Sequence, residues 1–511
     1  MNRRKWLLGS VAALGVGGYW LSTALKYGVS PKGMGGMAMG NGSEASMKMG
    51  MNDAGSRVQN LPEGAPLPEL TPLTNSSKVA NQFVATLDAS LGKHEFVKGL
   101  ATPILAYNSA LPGPMIEVNE GDHVRIEFKN NIPQQPSTIH WHGLEIPASQ
   151  DGNPTDPVAS GEGRFYEFDI PANIAGSYWY HPHPHGFTAE QVYRGLAGPL
   201  IVHSKADPLP AELGDTVLFI SSVSLNTDGV IAENTMADQF NGREGDHVLV
   251  NGVKKPVLTL APGTSHRFRI YNATNGRFLR LNLDGHHMTL VGSDGGLLAA
   301  PVRNLEEILL APAERAEIVV DFQTNAGTFA LNTMPYERGW MGMGKPEPAT
   351  LQLMHFELKG ATAKPIILPE KLRDIAPLGE AKETKRLTLG ETMGMANGGM
   401  TMDFLIDGKS FDLNRVDLKA RVGEVELWEI YNGSDMDHPF HIHGTQFQIV
   451  EREKKGTKTP VQFLAWKDTV NITSKETVRI KLRYSTPGRR MYHCHILEHE
   501  DAGMMAQLEV A

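Results

Sequence analysis

A ten-residue pattern occurs three times in this chain: Gly121-Asp-His-Val-Arg-Ile-Glu-Phe-Lys-Asn130, Gly263-Thr-Ser-His-Arg-Phe-Arg-Ile-Tyr-Asn272 and Gly423-Glu-Val-Glu-Leu-Trp-Glu-Ile-Tyr-Asn432. Each copy has apolar residues at alternate positions, the period of a half-buried β-strand that follows a glycine turn. Downstream, Gly176, Gly327 and Gly488 each precede a second short strand. Five residues after them stand His181, Asn332 and His493, and seven residues after them His183, Met334 and His495. Strand signals repeated at this scale mean repeated structural units. The fold class expected is therefore all-β, with three related domains at 77–205, 206–358 and 380–511 and a linker at 359–379. The middle copy carries Asn and Met where the outer two carry histidine, so it is expected to hold no metal ligands there. The 53 glycines and 32 prolines supply turns for many short strands, and the strand spacing suits Greek-key sandwiches or barrels.

Ahead of the domains, MNRRKW leads into an uncharged run from Trp6 to Leu25, the order of a signal's n-region and h-region. The Arg3-Arg4 pair resembles a twin-arginine export signal, and the run is also long enough to span a bilayer. Residues 1–28 are expected to be a signal or a retained anchor, with the body in a periplasm and the inner membrane touched only through that segment. Residues 29–76, rich in Gly, Met, Ser and Pro, are expected to form a disordered linker. Its Met34, Met37, Met39, Met47, Met49 and Met51 are either low-complexity filler or thioethers suited to Cu(I). A formal net charge of −9 without a basic block excludes a nucleic-acid partner. A single cysteine excludes an internal disulfide. The expected assembly is a monomer.

The chemistry concentrates between Met491 and Met505. The lone cysteine, Cys494, stands between His493 and His495, with His499 five residues on and Met504 ten residues on. Successive side chains of a strand point to opposite faces, so the cysteine faces one way and its two neighbours the other. One thiolate, imidazoles and a weak thioether make the ligand set of a blue-copper electron-transfer centre. The histidines on the far face imply a second metal site, on the order of 10 Å away. Three more pairs occur: His140-Trp-His142, His181-Pro-His183 and His441-Ile-His443, the last preceded by His438. One such pair is weak evidence and is commoner on a surface strand or at zinc. Four pairs at matching points of repeated domains offer eight imidazoles to one pocket.

These motifs resemble those of the multicopper oxidases. HPFHIHGTQF and HCHILEHEDAGMM are especially similar to the bacterial copper efflux (cuprous) oxidase and laccase-like branch, and the resemblance covers about 77 to 511. It implies three cupredoxin domains and four copper ions. The type 1 ion would take His438, Cys494, His499 and axial Met504, and the type 2 ion His140 and His441. The type 3 pair would take His142, His181 and His495 for one ion, and His183, His443 and His493 for the other. Cys494 would carry electrons, while Asp151 and Glu500 would handle protons. The plain alternatives for those two carboxylates are a loop turn-former and a solvated charge. His185 reads as a surface histidine or one that stands behind the ligands, and His286 and His287 read as structural.

The resemblance also implies partners: O2 and a small reductant, Cu(I) for copper tolerance or, as in laccases, phenols or Fe(II). A copper-binding scaffold without catalysis would be expected to lack ligands, and all twelve positions are filled. Asp435 and Met436, just before His438, and Met393 and Met395, with Met400 and Met402 nearby, are the expected Cu(I) docking groups, since oxygen and thioether ligands suit that ion. The sequence departs from the branch in one respect. Only the short segment ETMGMANGGMTMD stands where a long methionine-rich insertion is usual, which opens the type 1 edge to bulkier reductants.

Overall fold

The computed structural model describes residues 57–511 except Met343, Asn397 and Gly398, and no side chain between 395 and 400. The expected signal at 1–28 and the methionines at 34–51 lie outside the described residues, as does the Met395 side chain.

All three Gly-to-Asn patterns form strands, His123–Asn131, Ser265–Asn272 and Glu426–Asn432. Each pairs parallel with its domain's first strand, respectively Gln82–Val97, Gly214–Val223 and Glu383–Ala396. Each pairs antiparallel on its other edge, with Gly163–Asp169, Arg315–Asp321 and Glu476–Leu482. Six sheets result, two per repeat, and the facing sheets of each repeat enclose a core of their own around Trp141, Phe268 or Trp428. The repeat is thus one of topology, as alternating apolar residues on both sheets require.

The asparagine that ends each pattern has a physical reason to recur. Asn130, Asn272 and Asn432 are buried. Each side-chain NH2 donates to two backbone carbonyls: Gln135 and Val158, Arg277 and Leu310, Met436 and Ile472, all at 2.8–2.9 Å. Each side-chain oxygen accepts the N–H two residues on, from Ile132, Thr274 and Ser434. The clamp ties the strand end to its loop and, in the second and third domains, to a strand of the facing sheet. Replacing Asn432 with Ala removes its bonds to two buried carbonyls and one N–H, so it is expected to cost about 2–4 kcal/mol, read as a lower denaturant midpoint.

The second glycine pattern also opens strands: Gly176–His181, Gly327–Met334 and Gly488–Cys494. Their antiparallel partners are His140–His142, Leu279–Leu283 and His438–Ile442. In register, His140 faces His181, Asn282 faces Asn332 and His441 faces His493. The middle domain therefore has the same ladder with its histidines replaced.

The expectation of a disordered linker through residue 76 needs correction. Residues 57–76 run along the second and then the first domain: Val58 N–H donates to Leu225 O (2.8 Å), Leu67 N–H to Val257 O (2.9 Å) and Leu73 N–H to Met115 O (2.7 Å). Leu61 and Leu73 are buried. Backbone bonding of this kind needs only an extended chain, which a Pro-rich segment readily provides. Between the second and third domains, residues 359–379 form no strand but anchor through Leu368 and Leu372 against Val291 and Val319. No helix among the described residues is long and apolar enough to cross a membrane.

Candidate metal centres

The histidine-bearing ladders of the first and third domains meet face to face. The His140 and His443 rings stack with centroids 3.8 Å apart, and so do those of His142 and His441. Nε2 of His140 lies 3.4 Å from Nε2 of His441, while Nε2 of His493 lies 3.2 Å from that of His183 and 3.1 Å from that of His443. Three groups have ligand atoms within 4.8 Å of one another: His140, His142 and His441; His142, His181 and His495; His183, His443 and His493. All eight rings are at most 1% exposed.

A fourth group, His438, Cys494 and His499, lies on the other face of the cysteine strand. The Cys494 Sγ is 3.4 Å from His438 Nδ1 and 3.9 Å from His499 Nδ1. Both rings are held by the other nitrogen. His499 Nε2–H donates to Phe240 O in the middle domain (3.0 Å). His438 Nε2–H donates to Ser434 Oγ (2.8 Å), whose own proton is directed to Asn432 Oδ1 and Met436 O. Each Nδ1 lone pair is thereby turned toward the sulfur. Met504 is fully buried in the core that contains Cys494, and its carbonyl accepts the Cys494 N–H (3.0 Å).

This donor set fits a metal. Burial, reinforced by repulsion from neighbouring rings, holds His142, His181, His183, His441, His443 and His495 well below the ordinary imidazole pKa. Burial, with Arg338 nearby, pushes His438 down to about 3. Neutral rings keep a lone pair for a cation. His142 Nδ1, His181 Nε2 and both ring nitrogens of His495 are buried without a hydrogen-bond partner, a costly state that coordination relieves. Burial also pushes the Cys494 thiol up, so the thiolate requires a bound cation. Sulfur with two imidazoles and a methionine nearby favours copper, and eight imidazoles without a second thiolate suit it too.

Three buried carboxylates surround the eight rings. Asp151 Oδ1 lies 3.0 Å from His140 Nδ1 and its Oδ2 3.2 Å from His443 Nδ1, with Arg490 Nη1 behind it at 3.7 Å. Asp468, which the sequence did not single out, has Oδ1 3.0 Å from His142 Nε2, while its backbone oxygen is 2.8 Å from His441 Nδ1. Arg315 grips both of its oxygens. Glu500, on the short helix Leu497–Asp501, points its oxygens at His183 Nδ1 (3.4 Å) and His493 Nδ1 (3.1 Å), and among the described residues no Lys or Arg pairs with it.

Of the expected docking groups, Asp435 is exposed and ion-paired with Lys475 (2.9 Å). Met393 is 63% exposed on a hairpin where it pairs with Met402, while Met436 is fully buried in the Cys494 core. Met436 thus lies beneath the surface instead of lining an open approach. Glu391 was not anticipated. Its Oε1 accepts the Asp435 N–H (3.5 Å), its Oε2 is buried without a partner, and burial raises its pKa.

Family descriptions of multicopper oxidase match residues 89–207, 219–351 and 385–511. The chain belongs to the multicopper oxidase family. This multicopper oxidase is 34% identical to the multicopper oxidase mco of Staphylococcus haemolyticus over 83% of its length and 88% of the relative's. Its fold superposes on a solved multicopper oxidase from Campylobacter jejuni, described as a metallo-oxidase, with a TM-score of 0.83, 42% identity and coverage of 88% and 96% of the two chains. It also resembles a laccase-like multi-copper oxidase, CueO, from an Ochrobactrum species: TM-score 0.74, 29% identity, coverage of 87% and 100%. The oxidase is accordingly an oxidoreductase that uses copper and passes electrons from a reductant to O2.

Proposed function

We propose that this enzyme is an exported, monomeric four-copper oxidase that oxidises Cu(I) to Cu(II) and so protects the cell envelope. The observation that carries the four-copper reading is the convergence of eight buried imidazoles from two domains on one side of Cys494, with a separate group of Cys494, His438 and His499 on the other. In this reading His438, Cys494, His499 and Met504 hold the type 1 ion, and His140 and His441 the type 2 ion. His142, His181 and His495 hold one type 3 ion, and His183, His443 and His493 the other. Copper supplies the redox chemistry, one-electron oxidation of the reductant and four-electron reduction of O2 to two waters.

The chain's residues do the rest. Cys494 and its covalent neighbours His493 and His495 join the two sites through a single peptide segment. Asp151 orients His140 and His443 through their Nδ1 atoms. Glu500, facing His183 Nδ1 and His493 Nδ1, is the carboxylate that relays protons for O2 reduction. The burial of all these groups excludes bulk water.

Cu(I) as reductant is supported by Glu391 and Met393, a carboxylate and a thioether two residues apart on one strand, and by the bond from Glu391 to the N–H of Asp435, three residues before His438. A laccase-type activity on phenols or Fe(II) is the second reading, favoured by the shortness of the methionine-bearing hairpin Glu383–Ala396 and Gly399–Ile406. Oxygen uptake separates the two. With Cu(I) as reductant, the double replacement Glu391→Gln, Met393→Leu is expected to raise KM about tenfold and leave phenol oxidation unchanged. Added Cu(II) is expected to stimulate phenol oxidation. No copper stimulation, with phenol kcat/KM exceeding that for Cu(I), would favour the laccase reading.

A further inference from the structure

We propose that Arg315, a residue of the domain that contributes no metal ligand, is a positioning residue that decides which nitrogen His142 presents to the three-copper site. The proposal rests on the ligand assignment above. Arg315 is 1% exposed. Its Nη1 donates to Asp468 Oδ1 (2.8 Å) and its Nη2 to Asp468 Oδ2 (2.6 Å), the two-pronged grip that a guanidinium makes on a carboxylate. Its remaining bonds fix it in place. Nε donates to Ser177 O of the first domain (2.9 Å), Nη1 to Ala313 O (3.0 Å) and Nη2 to Asp294 O (2.9 Å) of its own domain. One side chain is therefore tied to all three domains.

The consequence appears at His142. Asp468 Oδ1, held by Arg315 and by the Thr469 hydroxyl (2.9 Å), lies 3.0 Å from His142 Nε2. A carboxylate oxygen only accepts, so Nε2 carries the proton and Nδ1 carries the lone pair. His142 Nδ1 is the ring nitrogen without a hydrogen-bond partner. Five of the other rings are arranged the opposite way, with Nδ1 occupied: His140 and His443 by Asp151, His181 by Pro182 O, His441 by Asp468 O and His493 by Cys494 O. His142 is the ring of the six whose outer partner sits on Nε2, and that partner is the carboxylate that Arg315 fixes.

The chain even leaves out a side chain where this pair passes. Gly143, next to His142, has φ +90°, and a Cβ there would collide with Asp468 Oδ2 and come within 3.0 Å of Arg315 Nη2.

The test uses the full-length protein loaded with copper: wild type, Arg315→Met and Asp468→Asn. The readouts are copper content per chain, the blue thiolate band, the near-ultraviolet shoulder of the coupled pair and copper retained against a chelator. Arg315→Met is expected to keep the blue band but lose the shoulder, with copper retention at the eight-histidine site weakened about 10–100-fold. Should that variant fail to fold for want of a cation beside Asp468 and Asp294, no blue band forms. Asp468→Asn then decides by the same readouts, because it keeps the side-chain volume but sets an amide NH2 against the Arg315 fork. Wild-type shoulder, stoichiometry and retention in Arg315→Met, or in Asp468→Asn where the first does not fold, would overturn the proposal. A wild-type protein lacking both bands would instead overturn the ligand assignment beneath it.

Discussion

Replacing Cys494 with Ser is expected to remove the blue band entirely and cut turnover about 10³-fold or more, a barrier increase of about 4 kcal/mol. The other signals should survive. Cys494 is the one sulfur between His438 Nδ1 and His499 Nδ1, and it occupies the only covalent step between His493 and His495. A hydroxyl in that position keeps the strand and its buried volume but gives up the soft anionic ligand. Because the eight imidazoles lie on the opposite face, the near-ultraviolet shoulder and about three of the four coppers should remain. Metal analysis and absorption spectra on the purified variant check both halves. Loss of all copper would mean that the two sites assemble as one unit, against the geometry described.

The second large effect is expected at Glu500. Glu500→Gln should lower steady-state turnover about 10²–10⁴-fold, the range for removing a positioned proton donor. Both absorption bands, copper content and the rate at which the reductant bleaches the blue band should stay unchanged. The slow step should be the return of the blue colour on mixing the reduced enzyme with O2. Asp151 differs in its surroundings, with two ring nitrogens and Arg490 around it. Asp151→Asn is accordingly expected to weaken copper retention as well as turnover. Stopped-flow absorbance separates bleaching from recolouring, and an unimpaired oxygen phase in Glu500→Gln would remove that residue from proton delivery.

Much of the architecture was legible before any coordinates, because the signals were local. A glycine turn, alternating apolar residues and a terminal asparagine describe a strand and its clamp within ten residues, and the clamp is made by Asn130, Asn272 and Asn432 alike. The histidine pairs were legible because a strand's period of two sets both rings on one face. What stayed hidden depends on contacts between distant segments. Asp468 and Arg315 are 153 residues apart, and neither sits in a motif. The Phe240 carbonyl that holds His499 carries no sequence signal at all, since every residue has one. Residues 57–76 were misread because their composition resembles disorder, whereas their order comes from backbone bonds to neighbouring domains. The burial of Met436 was likewise invisible from its position two residues before His438, because Gly339 of the middle domain packs directly over it.

The most direct test is metal analysis combined with absorption spectroscopy on the full-length protein after copper loading. Two linked sites built from one thiolate and ten imidazoles predict about four coppers per chain, an intense band near ~600 nm and a near-ultraviolet shoulder together. Zinc alone, or a single copper with the blue band and no shoulder, would contradict a shared site between the first and third domains.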